Sequence, residues 1–170
     1  MRWTLAVLGC AATVALAVYL GLWAYPAETP MQDTARLLYL HVPAAAHTLL
    51  ALTVAAVASV AFLWQSRRGA DQLARAAMAA ALTLGTVMLG SGMAWGHMAW
   101  GAAWDWRSPK LVLTLVLWLL TAGYFLLRAA LPESRRGRIA AVYCLLAYLD
   151  APLVYLASRV RNLPPVALSA

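Results

Sequence analysis

The sequence predicts an all-α, polytopic integral membrane protein: a helix bundle with about five transmembrane helices and a cytoplasmic amino terminus. Three observations predict it. First, 64% of the 170 residues are hydrophobic and only 11% are charged. A soluble domain is nearer half apolar and about a quarter charged, so water is the wrong solvent for this chain. Second, five runs are long and apolar enough to cross a bilayer, which takes about 20 residues. Third, the basic residues gather in short clusters between those runs, as membrane proteins distribute them.

The runs cover residues 3–25, 42–64, 76–95, 111–127 and 139–158 in one integral domain. They do not alternate as barrel strands do, and backbone in lipid must bond to itself, so they are helices. The first run contains Val7-Leu8-Gly9-Cys10, which looks like a lipoprotein cleavage box but comes too early for a signal-peptide core. It is read as a retained helix. The segment 25–36 holds two prolines, two acids and Arg36. Pro43 suits the first turn of the second helix, where its missing N–H costs nothing, and this puts His41 just before that helix. QSRRGADQLAR (65–75) and RAALPESRRGR (128–138) are short basic connections. WGHMAWGAAWDWRSPK (95–110) is an aromatic loop, and 158–170 forms a tail.

With five spans, Arg2 and the two basic connections share one side, with eight basic residues against five on the other. The positive-inside rule puts the eight in the cytoplasm. The aromatic loop then faces outward, toward the periplasm of a Gram-negative inner membrane.

Several function classes fall away. The charge of +7 is scattered and not collected on one face, which argues against nucleic-acid binding. No glycine loop for phosphates and no zinc-type Cys/His cluster occurs. No loop carries a catalytic pair of carboxylates, so an enzyme is not expected. Cys10 and Cys144 lie in apolar runs and read as small buried hydrophobes.

What remains is an outward surface of imidazoles, indoles and cations. His41 and His97 lie at the outer boundary, and His47 lies further in. A neutral imidazole there can ligate a metal or heme iron, or simply bond a carbonyl. Four of the eight tryptophans, Trp95, Trp100, Trp104 and Trp106, fall within twelve positions, with Gly96 and Gly101 between them. Such flat faces suit a large planar apolar ligand, porphyrin or quinone; an interfacial aromatic belt is the plain alternative. Trp3, Trp23, Trp64 and Trp118 need only the interfacial explanation. Arg36, Arg107 and Lys110 are outward cations able to hold carboxylates. Asp150, inside the fifth span, is a functional candidate or a partner for Arg159.

RLLYLHVPAA (36–45), followed by Trp95-Gly96 and WGAAWDW (100–106), resembles the heme exporter protein C (CcmC) family and its tryptophan-rich WWD segment. The resemblance covers residues from about 20 to about 156. It implies a non-enzymatic protein that binds heme b at the outer face of the membrane. It implies delivery to a membrane-anchored heme chaperone, beside an ABC transporter complex of cytochrome c maturation. By the same resemblance His41 contacts or ligates the iron. Arg36, Tyr39 and Pro43 belong to its motif, and Trp95, Gly96, Trp100, Gly101, Trp104 and Trp106 form the heme platform.

Three departures stand out. Arg107 follows Trp106 where the family pattern has an acid, and the aspartate is Asp105. No histidine follows His97, although the family has one after the fifth span. The family's sixth span is not in this sequence. His97 is therefore the candidate second iron ligand. Two other readings are a structural or degenerate subunit whose heme site needs a partner, and a quinone- or heme-linked redox subunit. The redox subunit would carry paired histidines inside its spans.

Overall fold

The computed structural model describes residues 32–160 together with Leu16 and Tyr19, which are helical. The rest of the first expected span, Cys10, Trp3, Trp23, Glu28 and the tail beyond residue 160 lie outside the described residues. The elements are α1 (Gln32–Gln65), α2 (Arg68–Trp100), α3 (Pro109–Ala130), α4 (Glu133–Tyr148) and α5 (Asp150–Val160). No strand occurs among the described residues. Four helical stretches are long and apolar enough to cross a membrane: Arg36–Gln65, Arg68–Trp100, Pro109–Ala130 and Glu133–Ala157.

The connections are tight because local chemistry closes them. Ser66, at φ 52°, turns α1 into α2 and donates its N–H to the Phe62 carbonyl at 2.8 Å. Leu131-Pro132 turns α3 into α4, and the Arg136 guanidinium caps the Leu131 carbonyl at 3.0 and 3.2 Å. The helix restarts at Asp150 because Pro152 cannot donate to the Tyr148 carbonyl one turn back. The expected fifth span is thus two helices with a break.

α1 and α2 form an antiparallel hairpin with the most extensive contact in the bundle. Its seam is small-residue packing: Ala55, Ala58, Ala74 and Ala81 are all buried. Close backbone approach of this kind replaces the hydrophobic drive that lipid does not supply. The register is regular. A Cβ on Gly85 would lie 3.7 Å from Thr48, and one on Gly92 would strike His41, pairs equally spaced from the turn. α4 lies against α1, where the Thr53 and Tyr148 hydroxyls meet at 3.0 Å. α3 reaches α2 through the Trp118 indole N–H, which donates to Thr86 at 3.0 Å.

The outward faces are apolar, with Val57 65% and Leu126 73% exposed, a surface suited to acyl chains and not to water. Five threonine hydroxyls in the spans are satisfied by their own helices: Thr48, Thr83, Thr86, Thr114 and Thr121 each donate to a carbonyl four residues back. The one ion pair among the described residues is Arg128 with Asp71, bidentate at 2.6 and 2.9 Å.

Several expectations are corrected. α1 begins well before Pro43, so His41 and Pro43 sit within the helix and not at its start. α2 runs to Trp100, so Trp95, Gly96, His97 and Trp100 are helical and only 101–108 is loop. The basic connections shrink to two residues each, 66–67 and 131–132. The reason is common: polarity marks where a helix leaves lipid, not where it ends, and Arg, Gln and Met are good helix formers. Trp118 lies mid-helix against Gly85, so it is a packing residue and not an interfacial one.

Candidate functional site

Helix lengths set the height of the site. At about 1.5 Å per residue, α3 matches a hydrocarbon core of about 30 Å, while α1 and α2 are each near 50 Å long. All three share the end with the tight turns. The excess of α1 and α2 therefore extends past the start of α3 at the opposite end. His41 and Ser91–Gly92 lie near the level where α3 begins, and Trp95 to Trp100 lie past it.

His41 is seated by α2. Its Nδ1 lies 2.9 Å from the Met88 carbonyl and 3.3 Å from the Ser91 hydroxyl. The Ser91 hydroxyl itself donates to Val87 at 2.6 Å, so it meets Nδ1 as an acceptor. A carbonyl can only accept, so Nδ1 carries the proton and Nε2 of the neutral ring keeps its lone pair. Nε2 makes no hydrogen bond among the described residues and is not shut in. The Met88 carbonyl thereby fixes tautomer and ring orientation, as the outer partner of a ligating histidine does. Gly92 makes the seat possible: a Cβ there would come within 2.8 Å of His41 Cε1.

The tryptophans form two edge-to-face pairs, not one flat sheet. Trp95 and Trp100 have centroids 4.5 Å apart at 78°, and Trp104 and Trp106 5.6 Å apart at 67°. Trp95 follows Ser91 and Gly92 by four and three residues, so it rises from the same face of α2, one turn beyond His41. Gly101, at φ 74°, ends α2 and donates its N–H to His97 at 3.0 Å. The loop then folds back onto α2, where a Cβ on Gly96 would meet the Ala102 carbonyl at 3.1 Å. Both glycines are thus required by backbone, at one a positive φ and at the other a close approach. Asp105 shapes the return: its carboxylate accepts the Arg107 N–H at 2.9 Å and its carbonyl the Ser108 N–H at 3.1 Å. This Asx turn aims Pro109 at the first turn of α3.

The other sequence candidates scatter around this seat. Tyr39 and Pro43 are exposed, Arg36 is half-buried on α1, and Arg107 and Lys110 are exposed near the start of α3. His47 bonds the Pro43 carbonyl of its own helix at 2.7 Å. It faces outward, so among the described residues no two histidines face each other across the spans, as a redox subunit would need. His97 is exposed in the last turn of α2 and stands about 140° round the helix from Gly92. It does not share the face on which His41 sits. Arg159 bonds the Tyr155 hydroxyl at 2.6 Å and not Asp150, which is buried with Oδ2 lacking a partner. Sequence reasoning missed Met88, Ser91 and Gly92. Gly92 had a signal: a glycine inside a helical run costs about 1 kcal/mol against alanine, which marks a close approach.

A comparison with protein families matches heme exporter protein C (CcmC) over residues 1–162. The chain belongs to the heme exporter protein C family. A comparison with individual curated proteins gives no match. CcmC proteins handle heme for export in cytochrome c maturation, as transport subunits of the membrane and not as enzymes. The heme exporter of this family is a complex with other maturation proteins. This CcmC chain is multi-pass, with four membrane-length helices among its described residues.

The residues present fit that cargo. One imidazole offers a pinned ring and an open Nε2. The indole N–H groups of Trp95 and Trp104 are buried with no acceptor among the described residues. Buried donors are normally satisfied, so each of these two is open to an acceptor. Porphyrin propionates are such acceptors.

Proposed function

We propose that this chain binds heme b through His41 Nε2 at the outer, periplasmic end of its helices in the inner membrane. It then passes the heme to a membrane-anchored heme chaperone beside the ABC transporter of the maturation complex. The observation that carries the reading is the hydrogen bond from His41 Nδ1 to the Met88 carbonyl, which leaves one lone pair presented to a ligand.

The chain's own part is positional. α2 holds the imidazole, and the Trp95–Trp100 and Trp104–Trp106 pairs offer the apolar wall. Arg36, Arg107 and Lys110 supply cationic partners for propionates, with Tyr39 and Pro43 beside His41 on α1. Gly96 and Gly101 keep the loop folded onto α2, and Asp105 keeps its return turn. His41 is the one ligand assigned to the iron, because His97 projects from another face. Single ligation suits a carrier that must release its cargo.

The test is transfer. The chain is loaded with heme and mixed with a heme chaperone in detergent, with heme on each partner followed by absorbance after separation. Wild type is expected to load and then lose heme to the chaperone. His41→Ala is expected to load poorly and transfer correspondingly little. Equal loading and transfer by both would refute the assignment.

A further inference from the structure

The opposite end of the bundle carries a second site. An open cleft of about 760 Å³ lies where α1 meets α2 and α3 meets α4, within the size range of small-molecule sites. Five arginines line it against two acids: Arg68, Arg128, Arg135, Arg136 and Arg138 against Asp71 and Glu133. Two of the arginines are engaged, Arg128 by Asp71 and Arg136 by the Leu131 carbonyl. Arg68, Arg135 and Arg138 are exposed and meet no carboxylate among the described residues. The cleft therefore keeps a surplus of positive charge with free guanidinium forks, which bind phosphate oxygens in pairs. The starts of α2 and α4 add to it, since neither N-cap residue, Arg67 or Pro132, makes a side-chain cap bond.

The apolar part of the lining decides what the anion is attached to. Phe62 and Ile139 border the same cleft, and Phe62 packs under Gly137, where a Cβ would approach to 2.9 Å. Trp64, 85% exposed at this end of α1, sits where indoles mark the headgroup level. A ligand that is anionic at one end and apolar at the other fits such a border. Basic pockets between helices at this level take anionic headgroups.

We propose that this cleft binds the phosphodiester headgroup of an anionic phospholipid. Arg68, Arg135 and Arg138 grip the phosphate while the acyl chains run down past Phe62 and Ile139. The site is separate from the heme seat and does not depend on it.

Native mass spectrometry of the full chain, released from detergent with phosphatidylglycerol or phosphatidylcholine, tests this. Wild type is expected to retain phosphatidylglycerol about tenfold or more over phosphatidylcholine. The triple variant Arg68→Gln/Arg135→Gln/Arg138→Gln is expected to lose that preference, and Arg135→Gln alone to lose part of it. Arg75→Gln, a basic residue at the same end but outside the cleft, is expected to keep it. All are surface changes, and unchanged helicity by circular dichroism identifies folded variants. A preference that survives in the triple variant, or falls equally in Arg75→Gln, would overturn the site. Displacement of the lipid by millimolar inorganic phosphate would also overturn it, since the cleft would then take a free anion.

Discussion

At His41 the two ring nitrogens have different fates, and the difference comes from α2. Nδ1 is held by the Met88 carbonyl while Nε2 is left open. RLLYLHVPAA was enough to single out the histidine in the sequence, but its seat was not legible. Met88, Ser91 and Gly92 lie a whole helix away, and only the hairpin register brings them to it. Two predictions belong at this scale. Gly92→Val puts two methyls into the space of the imidazole, where even a Cβ would come within 2.8 Å. Overpacking of that kind costs about 1–3 kcal/mol, so hemin affinity is expected to fall roughly ten- to hundredfold, as read by titration. Ser91→Ala, which leaves the shorter bond to Met88 intact, is expected to change it little. His97→Ala is expected to leave the position of the visible heme band unchanged, because His97 stands on another face. A shifted band in that variant would make it a ligand after all.

At the scale of elements, apolar runs told where helices cross lipid and said little about where they stop. The tryptophan segment read as an aromatic loop with glycines in it, yet its first six residues, 95–100, continue α2 for nearly two turns. The glycines there act differently from one another. Gly101 supplies a left-handed end to α2 at φ 74°. Gly101→Val is expected to cost about 1–2 kcal/mol locally, since a β-branched residue resists that conformation. The loop should then leave α2, which limited proteolysis between residues 101 and 108 would register as faster cleavage. Cleavage unchanged from wild type would show that the loop is held by something other than this turn. Asp105, first noted as a displaced family acid, has a local structural task here in the turn before Pro109.

At the scale of the whole molecule, the tryptophan pairs gather at one end of the helices and the arginine-lined cleft lies at the other. The Arg128–Asp71 pair, with side chains only 12% and 23% exposed, ties α3 to α2 near the cleft. Breaking one side of such a pair leaves a charge without its partner. Arg128→Met is expected to destabilise the protein by about 3–5 kcal/mol, while Arg128→Met/Asp71→Leu recovers most of that loss. Thermal unfolding in detergent reads both. A double variant no more stable than the single would mean that the arginine contributes chiefly through Tyr124, whose hydroxyl it also bonds at 3.1 Å. The membrane architecture was legible because composition alone excludes water as the solvent. The pair was not, because nothing in the sequence links residue 71 to residue 128.

The most direct test of the account is chemical replacement of the His41 ring. The variant His41→Gly, purified in detergent with heme supplied, is recorded by visible spectroscopy before and after adding imidazole. Wild type is expected to show a strong Soret band and the variant a weak one, which recovers when free imidazole occupies the vacated seat against Gly92. A band of equal strength in wild type and variant, or a weak one that imidazole does not restore, would contradict ligation by His41.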